Sequence, residues 1–261
     1  MCAKLNEAGT EEPYDIVVKW EKIRFDEITK MYSPYLGVIE SYEKLVCRIV
    51  EIVGQQKPKS EQDKVVRDLL ADVYDSLRES QHIIMRGKSM VAYPLARRAY
   101  ESLSLMVLCS LDAEYAHKWQ SGVQISNSEV RKQLAKHEFG EKEESTKKLY
   151  SFFSHAAHPN REMIPHRFLG EGNGFVLSPI AKPDLVLTTD YCMTNLQMWF
   201  WFCAILSYFY RELIDGENKT YGRDYLETAD RAKQMIEALG KEYNRLLKEA
   251  QEHQKTAGNH N

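Results

Sequence analysis

Between Tyr150 and His166 the chain reads Tyr-Ser-Phe-Phe-Ser-His-Ala-Ala-His-Pro-Asn-Arg-Glu-Met-Ile-Pro-His. Hydroxyl, imidazole, guanidinium and carboxylate groups are concentrated in this one stretch. His155 and His158 stand three apart, which on a helix places them on one face, one turn from each other. Pro159 opposes further helix because it lacks the amide donor and restricts the residue before it. The pair therefore falls in a last helical turn, where the helix dipole favours imidazolium. Three chemistries fit. The histidines can begin a metal site that Glu101 or His166 completes, since a divalent ion needs three or four ligands. They can form a hydrogen-bonded structural cluster, or they can hold an anion or substrate. Ser154 is a poor nucleophile candidate. His155 lies about 100° away from it around a helix, and no Gly-x-Ser-x-Gly elbow exists, although His158 would be within reach.

A second set of polar residues lies in Leu95-Ala-Arg-Arg-Ala-Tyr-Glu-Ser-Leu-Ser-Leu-Met-Val-Leu-Cys, a helix that is otherwise largely apolar. Arg97 precedes Glu101 by four and Arg98 by three, and both spacings allow an intrahelical ion pair. Charges entering an apolar helix need partners because an unpaired buried charge is costly. Either these groups pair among themselves, or Arg98 and Glu101 face the histidine helix and orient it. The second reading predicts one shared pocket of Arg98, Glu101, Tyr150, Ser154, His155 and His158, roofed by Arg161 to His166.

The elements that must position these groups read as helices. Apolar residues recur at helical spacing from Tyr14 to Gly54, interrupted near Ser33-Pro34, and again from Glu61 to about Arg86. A helix from Met90 to Leu111 with Pro94 in its first turn follows, then Ala113 to Gln120. A third begins with the capping box Ser126-x-x-Glu129 and runs to about His137. A helix ending at His158 leads into residues 159–184, where glycines and prolines predict a long irregular loop or a small β-hairpin. A buried helix from Asp190 to Ile214 and an amphipathic one from Tyr221 to about Gln251 close the chain. Leu226, Ala229, Ile236, Tyr243, Leu247 and Ala250 form the expected seam of that last helix, packed on the bundle or on a second copy in a homodimer. The fold class predicted is all-α: one bundle of about seven or eight helices over residues 14–252, with tails at 1–13 and 253–261.

Composition narrows the function classes. Lys+Arg 35 against Asp+Glu 38 leaves a net charge of −3, so there is no global basic field to draw nucleic acid or anionic membrane. The run Met198 to Leu206 is apolar but falls short of the roughly 20 residues a membrane span needs, which points to a bundle centre. Met1 to Thr10 has no apolar core of a secretory signal. Five cysteines, odd in number and without a Cys-x-x-Cys pair, read as reduced thiols of a cytoplasmic protein. The four consecutive aromatics Trp199 to Phe202 point in all directions and read as core, not as a base-stacking platform.

Two segments together, the Arg97/Arg98…Glu101 helix and Tyr150-x-x-x-Ser154-x-x-x-His158, resemble a broad set of uncharacterised prokaryotic all-α proteins. Residues 60–215 carry the resemblance. That set is similar in turn to the HEPN group, helical proteins often tied to toxin–antitoxin and phage-defence systems. Active members are metal-independent ribonucleases with an Arg-x4–6-His motif, a spacing met by Arg161 to His166. The resemblance implies RNA as a partner, Arg161 as phosphate holder and His158 or His166 as general acid or base, without a cofactor. The residues themselves favour a ligand-binding or regulatory protein with a small anionic ligand. A hydrolase using a divalent metal on His155 and His158 is the remaining alternative.

Overall fold

The computed structural model describes residues 12–137, 147, 150, 151, 153, 183–217 and 219–258. Among the described residues there are nine helices and no strand: α1 (Pro13–Met31), α2 (Ser33–Gly54), α3 (Glu61–Met85), α4 (Ser89–Leu111), α5 (Ala113–Gln120), α6 (Asn127–Leu134), α7 (Leu185–Phe209), α8 (Arg211–Glu217) and α9 (Tyr221–Gly258). Residues 147, 150, 151 and 153 are also helical. The all-α expectation holds. The hairpin or loop expected over 159–184 lies outside the described residues except for Pro183 and Asp184, which are not helical.

Local chemistry sets the boundaries. Tyr32 separates α1 from α2, so the two-helix reading of the first segment is the correct one, with Pro34 in the first turn of α2. The Ser60 side chain accepts from the Asp63 amide at 3.1 Å and starts α3. Gly87, at φ +72°, then ends α3 in the left-handed conformation. Its amide reaches the Ile84 carbonyl and the Lys88 amide reaches Ile83, a pattern that satisfies the terminal carbonyls. The chain turns back into α4, and α3 and α4 pack along their lengths. Pro94 falls in the second turn of α4 rather than the first, because the helix already begins at Ser89.

Helix α7 lies at the centre, against α2, α3, α4 and α9. Its bounds differ from the expected Asp190 to Ile214. Asp184 caps it by accepting from the Leu187 amide at 3.0 Å, and the helix breaks at Tyr210, where α8 takes over. Eleven of its side chains are buried, among them Trp199 and Phe202. Burial is not complete around it, however. Trp201 is 43% and Tyr208 60% exposed, seven apart on one edge. The polar residues of this apolar helix are answered internally. Asn195 accepts from the Tyr35 hydroxyl at 2.7 Å and donates to Tyr191 at 3.1 Å, and Tyr191 meets Ser80 at 2.6 Å. Among the described residues, no helix is long and apolar enough to cross a membrane.

Helix α9 packs on α7 and α2, as the bundle-packing alternative required; of the expected seam Ala229, Ile236, Tyr243 and Leu247 are half-buried, with Ile236 against the core, but the most buried line is a neighbouring one. Tyr221, Thr228, Ala232, Leu239 and Leu246 are buried, whereas Leu226 is 64% exposed and Ala250 is exposed. The Tyr221 hydroxyl lies 3.1 Å from Ser207, which fixes the rotation of α9 and turns Leu226 outward. The helix also continues past the expected Gln251 to Gly258.

Candidate functional site

One face of α4 carries Tyr93, Arg97, Tyr100 and Glu101, spaced by three and four residues. Arg97 Nε donates to Glu101 Oε1 at 2.8 Å, and Nη2 donates to the Tyr150 hydroxyl at 2.5 Å. Glu101, acting chiefly through that hydrogen bond, holds the Arg97 guanidinium above its ordinary pKa. Phe153, one turn beyond Tyr150, is fully buried against Tyr100 (ring centroids 5.9 Å apart) and Tyr93 (6.3 Å). The stretch containing Tyr150 is thus fastened to α4 by an aromatic contact and a hydrogen bond.

Helix α6 brings a further residue. The Ser126 side chain accepts from the Glu129 amide at 3.1 Å and starts the helix, Val130 is buried, and α6 lies against α4. Arg131 consequently sits over the Tyr150 ring, its Cζ 4.5 Å from the centroid, while Arg97 Cζ is 4.7 Å from the same centroid. Such contacts contribute roughly 0.5–2 kcal/mol each, depending on desolvation. Arg131 Nη1 is buried and has no hydrogen-bond partner. Two guanidinium groups therefore converge on one phenol, and Arg97 is at the same time paired with Glu101.

Arg98 does not belong to this group. It turns to α3, where its Nη2 donates to Asp72 at 2.5 Å, and Ser102 donates to the same carboxylate at 2.5 Å. One residue along a helix is a rotation of about 100°, which separates the 97/101 row from the 98/102 row. The pairing of Arg97 with Glu101 is the intrahelical alternative; the placement of Arg98 beside Glu101 in a common pocket is corrected. Of the expected pocket, the structure brings together Glu101 and Tyr150. Ser154, His155, His158, Arg161 and His166 lie outside the described residues. No cluster of three or more metal-ligating side chains occurs among the described residues.

Beneath the aromatic contacts lies Asp190, half-buried near the start of α7. The Tyr93 hydroxyl is 3.1 Å from Asp190 Oδ2 and 3.0 Å from the Leu187 carbonyl. Burial raises the Asp190 pKa, partly offset by the Tyr93 hydrogen bond. A single hydroxyl hydrogen cannot make two linear bonds to two acceptors. The Tyr93 hydrogen is therefore shared between the Asp190 carboxylate and the Leu187 carbonyl.

No protein-family model matches the chain, and no curated protein or solved structure matches it either. Sequence reasoning missed Arg131, Tyr93 and Asp190. A carboxylate directly after Thr188-Thr189 in the approach to an apolar helix was a usable signal for Asp190. Nothing in the sequence distinguished Arg131 from solvent-facing arginines.

Proposed function

We propose that the chain binds an anionic ligand of the phosphate type between Arg97 and Arg131, with Tyr150 as the floor. The observation that carries this reading is the buried, unpartnered Nη1 of Arg131 beside a second guanidinium already tied to Glu101 and Tyr150. A buried donor without an acceptor costs about 1–3 kcal/mol. A phosphate oxygen supplies the missing acceptor, and the planar fork of arginine matches it in shape and charge. The test is calorimetric titration of the full chain with inorganic phosphate. Arg131→Ala is expected to weaken binding roughly tenfold or more, a loss of about 1.4 kcal/mol or more, with an unchanged far-ultraviolet circular dichroism spectrum. Phosphate affinity in Arg131→Ala and Arg97→Ala equal to that of the parent chain overturns the reading.

A second reading draws support from the Arg97–Tyr150 hydrogen bond, which joins the two segments that carry the HEPN-like resemblance. In it the bound phosphate belongs to RNA, Arg161 steadies the phosphodiester, and His158 or His166 moves the proton. Cleavage of single-stranded RNA in excess chelator, lost in Arg161→Ala and His166→Ala, supports this reading. Phosphate binding without any cleavage leaves the ligand-binding reading standing alone. Cleavage that stops on chelation and returns with zinc or manganese would instead favour a metal on His155 and His158.

A further inference from the structure

On a different face of the bundle, Glu40, Glu43, Lys44, Cys47 and Arg48 of α2 and Tyr74 of α3 line an open cleft of about 380 Å³. That volume is at the lower end of small-molecule sites, roughly 300–1,000 Å³. Most charges around it are already answered. Lys44 pairs with Glu40 at 2.7 Å, and Arg48 pairs with Asp224 of α9 at 2.5 Å. Glu43 differs. Its side chain is only 23% exposed, and the nearest guanidinium nitrogen, on Arg78, stands 3.8 Å away, beyond hydrogen-bond length. Arg78 itself leans towards the Tyr74 hydroxyl at 3.4 Å. Beside Glu43 the Tyr74 ring forms an aromatic wall, held edge-on by Trp199 with centroids 5.8 Å apart.

We propose that this cleft binds a small organic ammonium ion, its charge on the Glu43 carboxylate and its apolar body against Tyr74. A half-buried carboxylate whose paired guanidinium, on Arg78, stands 3.8 Å away without a hydrogen bond still gains from a ligand that donates hydrogen bonds and carries positive charge. An aromatic face next to it adds attraction for the same ligand and for no anion. Burial raises the Glu43 pKa, Arg78 and His82 of α3 lower it, and Glu40 raises it. Binding of an ammonium ion therefore strengthens as pH rises through the Glu43 titration, where the carboxylate becomes charged. Lys44 and Arg48 do not turn the cleft towards anions, because each is held by its own carboxylate.

Cys47 provides the readout, being exposed in the cleft while Cys109, Cys192 and Cys203 are buried. The experiment uses the full chain with Cys2→Ser, alkylated at Cys47 by iodoacetamide and titrated in parallel by calorimetry with benzylammonium. Benzoate and benzyl alcohol are the controls. Benzylammonium is expected to bind saturably and to slow alkylation, while the anion and the neutral alcohol do neither. Glu43→Gln is expected to weaken benzylammonium binding roughly tenfold with helix content unchanged. The proposal is overturned by equal binding of benzyl alcohol or benzoate, or by undiminished affinity in Glu43→Gln. Absence of saturable benzylammonium binding up to about 10 mM, the weak end of specific affinity, also overturns it.

Discussion

Two arginine–tyrosine clusters, one at the start of α3 and one part-way along α4, are built from the same residue types and differ in how fully they are satisfied. In the first, Arg67 donates through Nε and Nη2 to Asp63 at 2.8 and 3.0 Å, and through Nη1 to the Val53 and Gln56 carbonyls at 3.0 and 2.6 Å. Asp63 also accepts from the Lys59 amide at 2.8 Å and the Tyr210 hydroxyl at 2.9 Å. That closed set ties the end of α2, the start of α3 and the end of α7 together. In the second, Arg97 and Arg131 share Tyr150, and Arg131 keeps a buried N–H without an acceptor. A closed network fixes a fold, whereas an open one leaves free energy for a ligand.

The difference is broken most forcefully at the closed cluster. Arg67→Ala strands the Asp63 carboxylate at 7% side-chain exposure. Removing one partner of a buried pair costs about 3–5 kcal/mol, so the urea midpoint should fall steeply. A midpoint shift no larger than that of a surface substitution would mean the cluster holds nothing together. The same pair has an acid signature. Burial raises the Asp63 pKa, but hydrogen bonds from Arg67, Lys59 and Tyr210 more than offset it, and the net shift is downward. A depressed carboxylate contributes stability above the unfolded value of about 3.9, and that contribution is lost as pH falls through the folded pKa. Asp63→Asn should remove this part of the acid transition.

At the open cluster the corresponding losses are smaller. Arg97→Ala removes the Glu101 and Tyr150 hydrogen bonds together, from a side chain 22% exposed. About 1–2 kcal/mol is expected. Glu101→Gln, which keeps an acceptor but removes its charge, should cost less than Arg97→Ala; the reverse order would place the main contribution in the ion pair. Below these lies Asp190, whose sign is opposite to that of Asp63. Its pKa is raised by burial. Its stabilising contribution is therefore complete below the unfolded value of about 3.9 and is lost as pH rises through the folded pKa. Asp190→Asn should flatten that decline in a pH series of thermal midpoints, and an unchanged slope would place the titration elsewhere.

How much of this was legible follows the same division. Ala113 to Gln120 was readable because Tyr115 and Trp119 stand four apart, and the structure adds the cap: the Asp112 side chain accepts from the Glu114 amide at 2.9 Å. The closed cluster was not singled out, since the spacing of Asp63 and Arg67 is that of any i,i+4 pair on a helix surface and only the fold brings Tyr210 to them. The α4 helix was placed, yet the choice between Arg97 and Arg98 depends on which side α3 occupies, and periodicity alone leaves that open. Arg131 was invisible for a stronger reason: α6 is short and polar, and it matters through its docking on α4. The seam of α9 was read correctly only in part, at Ile236 and its half-buried neighbours, because alanine and tyrosine occur on several of its faces. The decisive contact, Tyr221 to Ser207, is tertiary.

The smallest effect is expected at Arg98, and it is the sharpest check on the division of α4 into two rows. Arg98 bonds Asp72 through two nitrogens, but its side chain is 65% exposed. Burial raises the Asp72 pKa, and hydrogen bonds from Arg98 and Ser102 more than offset it. Solvent screening limits such a pair to about 0–1 kcal/mol, and Ser102 still donates to Asp72 when Arg98 is removed. Arg98→Ala should therefore cost about 0.5 kcal/mol, and added salt should reduce even that. Its decisive property is selectivity: phosphate affinity in Arg98→Ala should equal that of the parent chain, while Arg97→Ala, one residue earlier, loses it. If Arg98→Ala weakens phosphate binding as much as Arg97→Ala does, the anion is held across both rows, and the site between α4 and α6 is misplaced.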